Sequence, residues 1–231
     1  MGLNALSEFI TNMDWTALSM FLLSAAAVLL CLTVHEVSHG LAAYALGDPT
    51  AKRQNRLSLN PLRHLDVFGT VMMLVAGFGW AKPVPVDMRY FRHPKSGKAI
   101  TALAGPVSNF LLAYLALLVR AVLLPFYLRG GGTALPLLVD FTETLAILSV
   151  GLGVFNLIPI PPLDGSKVLE GVLPDRIYYT ILRYERIGML LLMVVLFSGI
   201  ADKPLWAVRS WLVNTMAQGT VWLFELVYHL I

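Results

Sequence analysis

Two histidines and a glutamate stand close together in an otherwise apolar stretch, in the run His35-Glu36-Val37-Ser38-His39. On a helix, residues four apart share a face, so both imidazoles can reach one metal ion. Glu36 lies beside that face, where its carboxylate can take a proton from water. Ionisable side chains within a membrane span are costly, at about 2.5–3.5 kcal/mol for a central charge, and are candidates for function. The run therefore predicts a metal site with a general base.

A catalytic zinc site needs a third protein ligand, because such sites use three and keep a position for water. Cys31 lies one helical turn before His35, but cysteine is commonly a small buried apolar residue. A carboxylate is the better candidate, and Asp164 stands at the end of a later apolar segment, in the run 156–165. Asp164 could also be a turn residue in Asp-Gly, and the residues alone leave both readings open.

The composition indicates what kind of protein carries this site. Hydrophobic residues make up 57% of the 231 residues and charged residues only 13%, where a soluble domain carries about 25% charged. A soluble enzyme, a disordered chain and a nucleic-acid-binding module are therefore excluded, and no nucleic-acid partner is expected. The single cysteine, Cys31, leaves no intramolecular disulfide. The composition predicts a protein that spans the lipid bilayer several times.

Several segments are apolar enough to cross, since a spanning helix needs about 20 mainly apolar residues. The candidates are 16–46, 100–124, 135–158, 187–200 and 205–231. The fourth is short, and the last could instead lie in the membrane interface. We predict an all-α polytopic membrane protein of about five to six transmembrane helices.

The stretch 68–80 is apolar but has only thirteen residues, and basic residues flank it on both sides. One crossing would put these two basic loops on opposite sides of the membrane, against the excess of Lys and Arg in cytoplasmic loops. We therefore predict that 57–86 is re-entrant and partly β, covered by protein or lining a water-filled cavity.

The basic residues also predict the orientation. The loops 47–66, 81–98 and 159–186 hold thirteen of the 17 Lys and Arg. The positive-inside bias puts these loops in the cytoplasm and the N-terminus outside. The histidine run and Asp164 adjoin these loops. We expect a multi-pass protein of the cell membrane with its active site toward the cytoplasmic side.

The histidine run and the run 156–165 together resemble the site-2 protease family of intramembrane zinc metallopeptidases. The segments 105–109 (Gly-Pro-Val-Ser-Asn) and 79–86 (Gly-Trp-Ala-Lys-Pro-Val-Pro-Val) are similar to its short bacterial and archaeal branch. The resemblance covers roughly 16–186, and the two zinc motifs together are highly specific.

The resemblance implies roles for individual residues. His35, His39 and Asp164 would bind zinc, and Glu36 would be the general base. It also implies roles for Asn156 and Asn109, whose amides could donate to the oxyanion or hold an extended substrate backbone. The alternative for both asparagines is helix packing through hydrogen bonds across the membrane helices.

These observations predict a single integral-membrane metalloprotease domain over 1–231, with a zinc-binding core at about 16–186 and C-terminal helices at 187–231. It would hold one zinc ion per chain and hydrolyse peptide bonds in or near the transmembrane segments of single-span membrane proteins or peptides. An extended substrate could add to a strand edge in 57–86, where Pro83 and Pro85 would keep one side unpaired.

Three other functions fit a membrane protein with ionisable side chains in its spans. A transporter also carries ionisable residues within the membrane, but the chain shows no internal repeat and a transporter gives no reason for Glu36. A bis-histidine haem protein would need partners on other helices, because residues four apart on one helix cannot ligate opposite faces of one haem. A metal-binding membrane protein without peptidase activity is the third alternative. The oligomeric state is left open.

Overall fold

The computed structural model describes residues 14–66, 68–69, 81–132, 134–174, 176–177, 183 and 185–231. Within these residues the secondary structure is helical, apart from one isolated antiparallel bridge between Leu65 and Ala81. The all-α prediction is therefore correct for the described part of the chain.

The first long helix, α1 (Trp15–Ala45), carries the histidine run. Asp14 caps its N-terminus, because its side chain accepts hydrogen bonds from the backbone N–H groups of Thr16 and Ala17. The helix stops at Gly47, whose φ of +104° other residues adopt poorly. Its 31 residues span about 46 Å, longer than the hydrocarbon core of a bilayer.

After a short helix, α2 (Thr50–Arg53), two more long helices follow, α3 (Pro94–Leu128) and α4 (Leu135–Asn156). α3 begins six residues before the predicted span 100–124. Its first turn is polar, and Pro94 fits there because the first helical N–H has no partner to lose.

Small residues let α1, α3 and α4 pack closely. The buried cluster among them consists of Ala27, Cys31, Ala113, Ala116, Leu117, Leu145, Ala146 and Val150. Small side chains are typical of helix contacts inside membranes, where close backbone approach replaces the hydrophobic effect. Large apolar residues on α3, such as Leu111 and Leu115, are exposed instead, as expected of a surface that faces lipid.

Four shorter helices follow in the described residues: α5 (Asp164–Val172), α6 (Glu185–Phe197), α7 (Asp202–Gln218) and α8 (Val221–Leu230). α7 contacts α4, and α8 contacts α3. Within the described residues, α1, α3 and α4 are long and apolar enough to cross a membrane. α6 and α7 could form a fourth span, but they are bent by 82°. By length and composition the described helices thus give three or four spans, against the predicted five to six.

The predicted re-entrant segment 57–86 is described only at its two ends, since 67 and 70–80 lie outside the described residues. One end holds a single turn of 3-10 helix, Pro61–Arg63, and the other runs without helix to Asp87. The bridge between Leu65 and Ala81 joins the two ends. The partly β character stays a prediction.

Candidate metal centre

Two imidazoles and a carboxylate converge between α1, α3 and α5. His35 Nε2 and His39 Nε2 lie 3.0 Å apart, and each lies 3.0 Å from Asp164 Oδ2. All three residues are buried. Among the described residues, these two histidines and the aspartate form a group that could hold a metal ion.

Cys31, the other candidate for third ligand, is not part of this group. Its Sγ faces the backbone carbonyl of Leu145 at 3.9 Å, inside the contact of α1, α3 and α4. The structure therefore brings Asp164, and not Cys31, to the two histidines.

The local backbone explains how Asp164 reaches the histidines. His35 and His39 are one turn apart on the same face of α1. Asp164 is the first residue of α5. A Cβ at Gly165 would collide with the backbone of Leu157 and Ile158, so a glycine is required where α5 begins against the end of α4.

A second glycine lets α3 lie directly on the two imidazoles. A Cβ at Gly105 would lie 2.6 Å from His35 Cε1 and equally close to Cε1 and Nε2 of His39. Real Cβ atoms do not approach other atoms this closely, so any larger residue would displace the rings. Gly105 thus brings the following turns of α3 next to His35 and His39.

Each of the three side chains has a second contact through its other polar atom. His39 Nδ1 lies 2.7 Å from the Thr101 carbonyl oxygen and donates to it, which leaves the Nε2 lone pair for a metal. His35 Nδ1 lies 3.2 Å from Asn109 Nδ2. Asp164 Oδ1 accepts a hydrogen bond from Lys167 Nζ at 3.0 Å, which leaves Oδ2 facing the histidines.

The neighbours of the Asp164 carboxyl favour its ionised form. Burial raises the pKa of the Asp164 carboxyl, but the neighbouring His35 and His39 and the charge of Lys167 outweigh it and hold that pKa well below its usual range. A metal ligand must be deprotonated, so the carboxyl is ready to bind.

The donor set fits zinc. Two imidazole nitrogens and one carboxylate oxygen are typical of a catalytic zinc site, which uses three protein ligands. The contact between His39 and the Thr101 carbonyl is also one that metal-binding histidines make, because it fixes the tautomer and the ring orientation.

Glu36 lies beside the ligands and is held by a backbone group. Its Oε2 accepts a hydrogen bond from the Val84 N–H at 2.9 Å. Pro83 and Pro85 have no N–H, so Val84 is the donor within 83–85. The candidate base is therefore tied to the extended segment 81–87.

That segment is fixed at both ends. The Lys82 carbonyl accepts a hydrogen bond from Arg56 Nη2 at 2.7 Å, and the Lys82 N–H donates to the His64 carbonyl at 2.8 Å. The Asp87 N–H donates to the fully buried Asp48 carboxylate at 2.7 Å. These bonds hold the segment against the metal centre.

A cavity of about 550 Å³ opens between these three side chains (His35, His39 and Asp164) and this segment. Its lining includes Glu36, Asn156, Val84, Val86 and Lys167, together with the three ligands. Asn156 Nδ2 donates to the Leu152 carbonyl at 3.0 Å. Asn109 is fully buried and does not line the cavity. The two asparagines therefore occupy different positions at the centre, although the resemblance implied the same roles for both.

Three contacts at the centre were not predicted from the sequence. The Thr101 carbonyl and the Val84 N–H are backbone groups, which every residue type carries, so no sequence signal points to them. Lys167 could have been found, because it lies three residues after Asp164 and such pairs meet on a helix.

Comparisons with known proteins agree with this geometry. The family model of peptidase family M50 matches residues 125–199, which include Asp164. A Bacillus subtilis protein named "Putative zinc metalloprotease YwhC" is 36% identical over 179 residues, or 78% of this chain and 82% of the relative. The chain belongs to peptidase family M50, the site-2 proteases. "Putative zinc metalloprotease Rip2" of Mycolicibacterium smegmatis is 29% identical over 216 residues, covering 90% of this chain and 73% of the relative. No solved structure matches the chain.

Membership of the site-2 protease family confirms the predicted function. The chain is an intramembrane zinc metalloprotease, zinc is its cofactor, and its substrates are membrane proteins within the bilayer. The transporter and haem-protein alternatives are not favoured. The apolar helices α1, α3 and α4 agree with a membrane protein.

Proposed function

We propose that His35, His39 and Asp164 bind one zinc ion per chain and that Glu36 is the general base. The observation that carries this proposal is the convergence of His35 Nε2, His39 Nε2 and Asp164 Oδ2, each 3.0 Å from the other two. The cavity beside them gives a substrate access to the same point.

Zinc bound at this point supplies a Lewis acid that polarises the scissile carbonyl and lowers the pKa of water. Glu36 takes the proton of the attacking water and passes it to the leaving amine. The Val84 N–H holds Oε2, so the proton is taken at Oε1. The cavity lined by His35, Glu36 and His39 gives water a path to the same point.

We propose that Asn156 donates a hydrogen bond to the substrate. A side-chain amide has two N–H donors, and the Leu152 carbonyl takes one of them. The other can reach into the cavity that Asn156 lines, toward the carbonyl oxygen as it becomes negative or toward the extended substrate backbone.

The extended segment 81–87 is the proposed site for an unwound substrate. A helical substrate hides its backbone in its own hydrogen bonds, so it must unwind before hydrolysis. Val86 lines the cavity, and its N–H has no partner within the described residues. An extended peptide can pair with the Val86 N–H. Pro83 and Pro85 have no N–H, and the Val84 N–H between them is already bonded to Glu36.

We propose a multi-pass topology in the cell membrane, with the metal centre toward the cytoplasm. The three basic loops support this orientation. α7 and α8 would together cross the membrane once. α7 packs on α4, and α8 reaches the far end of α3, where Arg129 donates to the Tyr228 carbonyl at 2.8 Å. Single-span membrane proteins are the proposed substrates, because the cavity beside the metal centre, of about 550 Å³, suits one unwound segment.

Single-cysteine labelling in a Cys31→Ser background tests the orientation. Gly132→Cys should react with a membrane-impermeant thiol reagent in intact cells, because a side chain there meets open space. Ser96→Cys, exposed at the start of α3, should react only after the membrane is opened. Labelling of Ser96→Cys in intact cells would reverse the proposed orientation.

Zinc quantification and cleavage of a panel of single-span substrates test the function of the site. The purified chain should hold about one zinc ion and cut within or beside the transmembrane segment. His35→Ala should lose zinc, whereas His229→Ala, an exposed histidine at the C-terminus, should retain it. Retention of zinc by His35→Ala would refute the proposed ligand set.

A further inference from the structure

Asn109 is the only fully buried asparagine of the described residues, and its amide faces a metal ligand. It lies one turn after Gly105 on α3, and Nδ2 is 3.2 Å from His35 Nδ1. Its Oδ1 has no hydrogen-bond partner within the described residues. A buried amide with one unpartnered atom is uncommon and calls for an explanation.

Zinc binding determines which ring nitrogen of His35 carries the hydrogen. A histidine that binds a metal through Nε2 is protonated on Nδ1 and needs an acceptor there. For His39 the acceptor is the Thr101 carbonyl at 2.7 Å. For His35 the group at that position is the Asn109 amide. An NH₂ group cannot accept, so the amide must present its oxygen when Nε2 binds zinc.

We propose that Asn109 is a positioning residue whose side-chain oxygen accepts the Nδ1–H of His35 and holds Nε2 toward zinc. A rotation of 180° about the terminal torsion exchanges Oδ1 and Nδ2 without changing the space that the amide fills. This inference rests on the proposed assignment of His35 as a ligand, and it gives Asn109 a different role from Asn156.

The surroundings of Asn109 fit a fixed support. Its backbone carbonyl accepts a hydrogen bond from Ser149 Oγ at 2.9 Å, which ties α3 to α4 at this level. Gly105 brings the same face of α3 onto the imidazoles. Asn109 does not line the cavity, so a direct hydrogen bond to the substrate would require it to leave His35.

Zinc affinity distinguishes this role from oxyanion stabilisation. The full chain is purified in detergent, and zinc affinity is measured by competition with a chelator, alongside thermal unfolding and substrate cleavage. Asn109→Leu, which cannot accept, should bind zinc about 10–100-fold more weakly, the usual loss for a supporting partner of a metal ligand. Asn109→Asp, which accepts at the same place, should keep zinc affinity within about threefold of the wild type.

Ser149→Ala is the matched control, because it removes a buried hydrogen bond at the same helix contact but leaves the Asn109 side chain in place. It should lower the unfolding temperature without changing zinc affinity.

Excess zinc should restore cleavage by Asn109→Leu toward the wild-type rate. If Asn109→Leu does not fold, Asn109→Ala takes its place with the same expected loss.

Wild-type zinc affinity in Asn109→Leu together with a lasting loss of cleavage would overturn the proposal in favour of an oxyanion role. Equal losses in Asn109→Leu and Asn109→Asp would also overturn it, because shape and not an acceptor would then matter. His35→Ala, measured in parallel, separates the two assignments: if that variant keeps zinc, the ligand set itself is wrong.

Discussion

The metal centre has two sides that are built differently. The buried side consists of His35, His39 and Asp164, supported by Gly105 and Asn109, and all of these residues lie on helices. The cavity side consists of Glu36, Asn156 and the extended segment 81–87. On the buried side the three side chains contact one another, and the Thr101 carbonyl also contacts His39, whereas Glu36 is held by a backbone N–H alone within the described residues.

This difference separates metal binding from chemistry. Changes on the buried side remove or shift a zinc ligand, so they should be visible as loss of metal. Changes on the cavity side leave the three ligand atoms in place, so they should lower the turnover rate with the metal still bound. Variants that break this separation would refute the division.

Asp164→Ala should have the largest effect on the buried side. It removes a ligand and leaves Lys167 without its carboxylate partner, so both zinc content and cleavage should be lost. Metal analysis and cleavage of the purified variant check this. Normal zinc content would mean that Asp164 only begins α5.

Glu36→Gln should have the largest effect on the cavity side. The amide has nearly the same shape and its oxygen can still accept from Val84, but it cannot take a proton. Turnover should fall by about 10²–10⁴-fold, the usual contribution of a general base, while zinc content stays at the wild-type level. Substantial activity in Glu36→Gln would assign the base elsewhere.

The sequence predicted the two sides unequally. The spacing of His35 and His39 follows from helix periodicity, and Asp164 followed from the resemblance of its motif. The backbone contacts on both sides could not be predicted, because the Thr101 carbonyl beside His39 and the Val84 N–H beside Glu36 become partners only through the fold.

For the helices, the sequence predicted the long spans but not the details of their ends and bends. Hydropathy located α1, α3 and α4 within a few residues, because a long apolar run has few other structures in a membrane. It missed the polar first turns of α3, which Pro94 begins, and the bend of 82° between α6 and α7. Hydropathy measures whether a segment can cross, and it carries no information on how two short helices meet.

Asn156→Ala tests the cavity side with a smaller change. Loss of the free N–H should lower turnover by about 10²-fold, within the range for removal of one oxyanion donor, with zinc affinity unchanged. Asn156→Asp, similar in size but without an N–H donor, should show the same loss. If Asn156 only packs against its helix, both variants would change the unfolding temperature and leave turnover intact.

Gly105→Ala should have the smallest effect and tests the buried side by shape alone. The new methyl group would lie 2.6 Å from atoms of both imidazoles, so α3 or the rings must shift although every ligand remains. We expect zinc affinity to fall by about tenfold, as for other disturbed supports of metal ligands, and turnover at saturating zinc to recover most of the wild-type rate. Gly132→Ala is the control, because its Cβ meets nothing within 4 Å, and it should leave zinc affinity unchanged. If Gly105→Ala kept full zinc affinity but lost turnover, α3 would act on the substrate, and the division between the two sides would have to be redrawn.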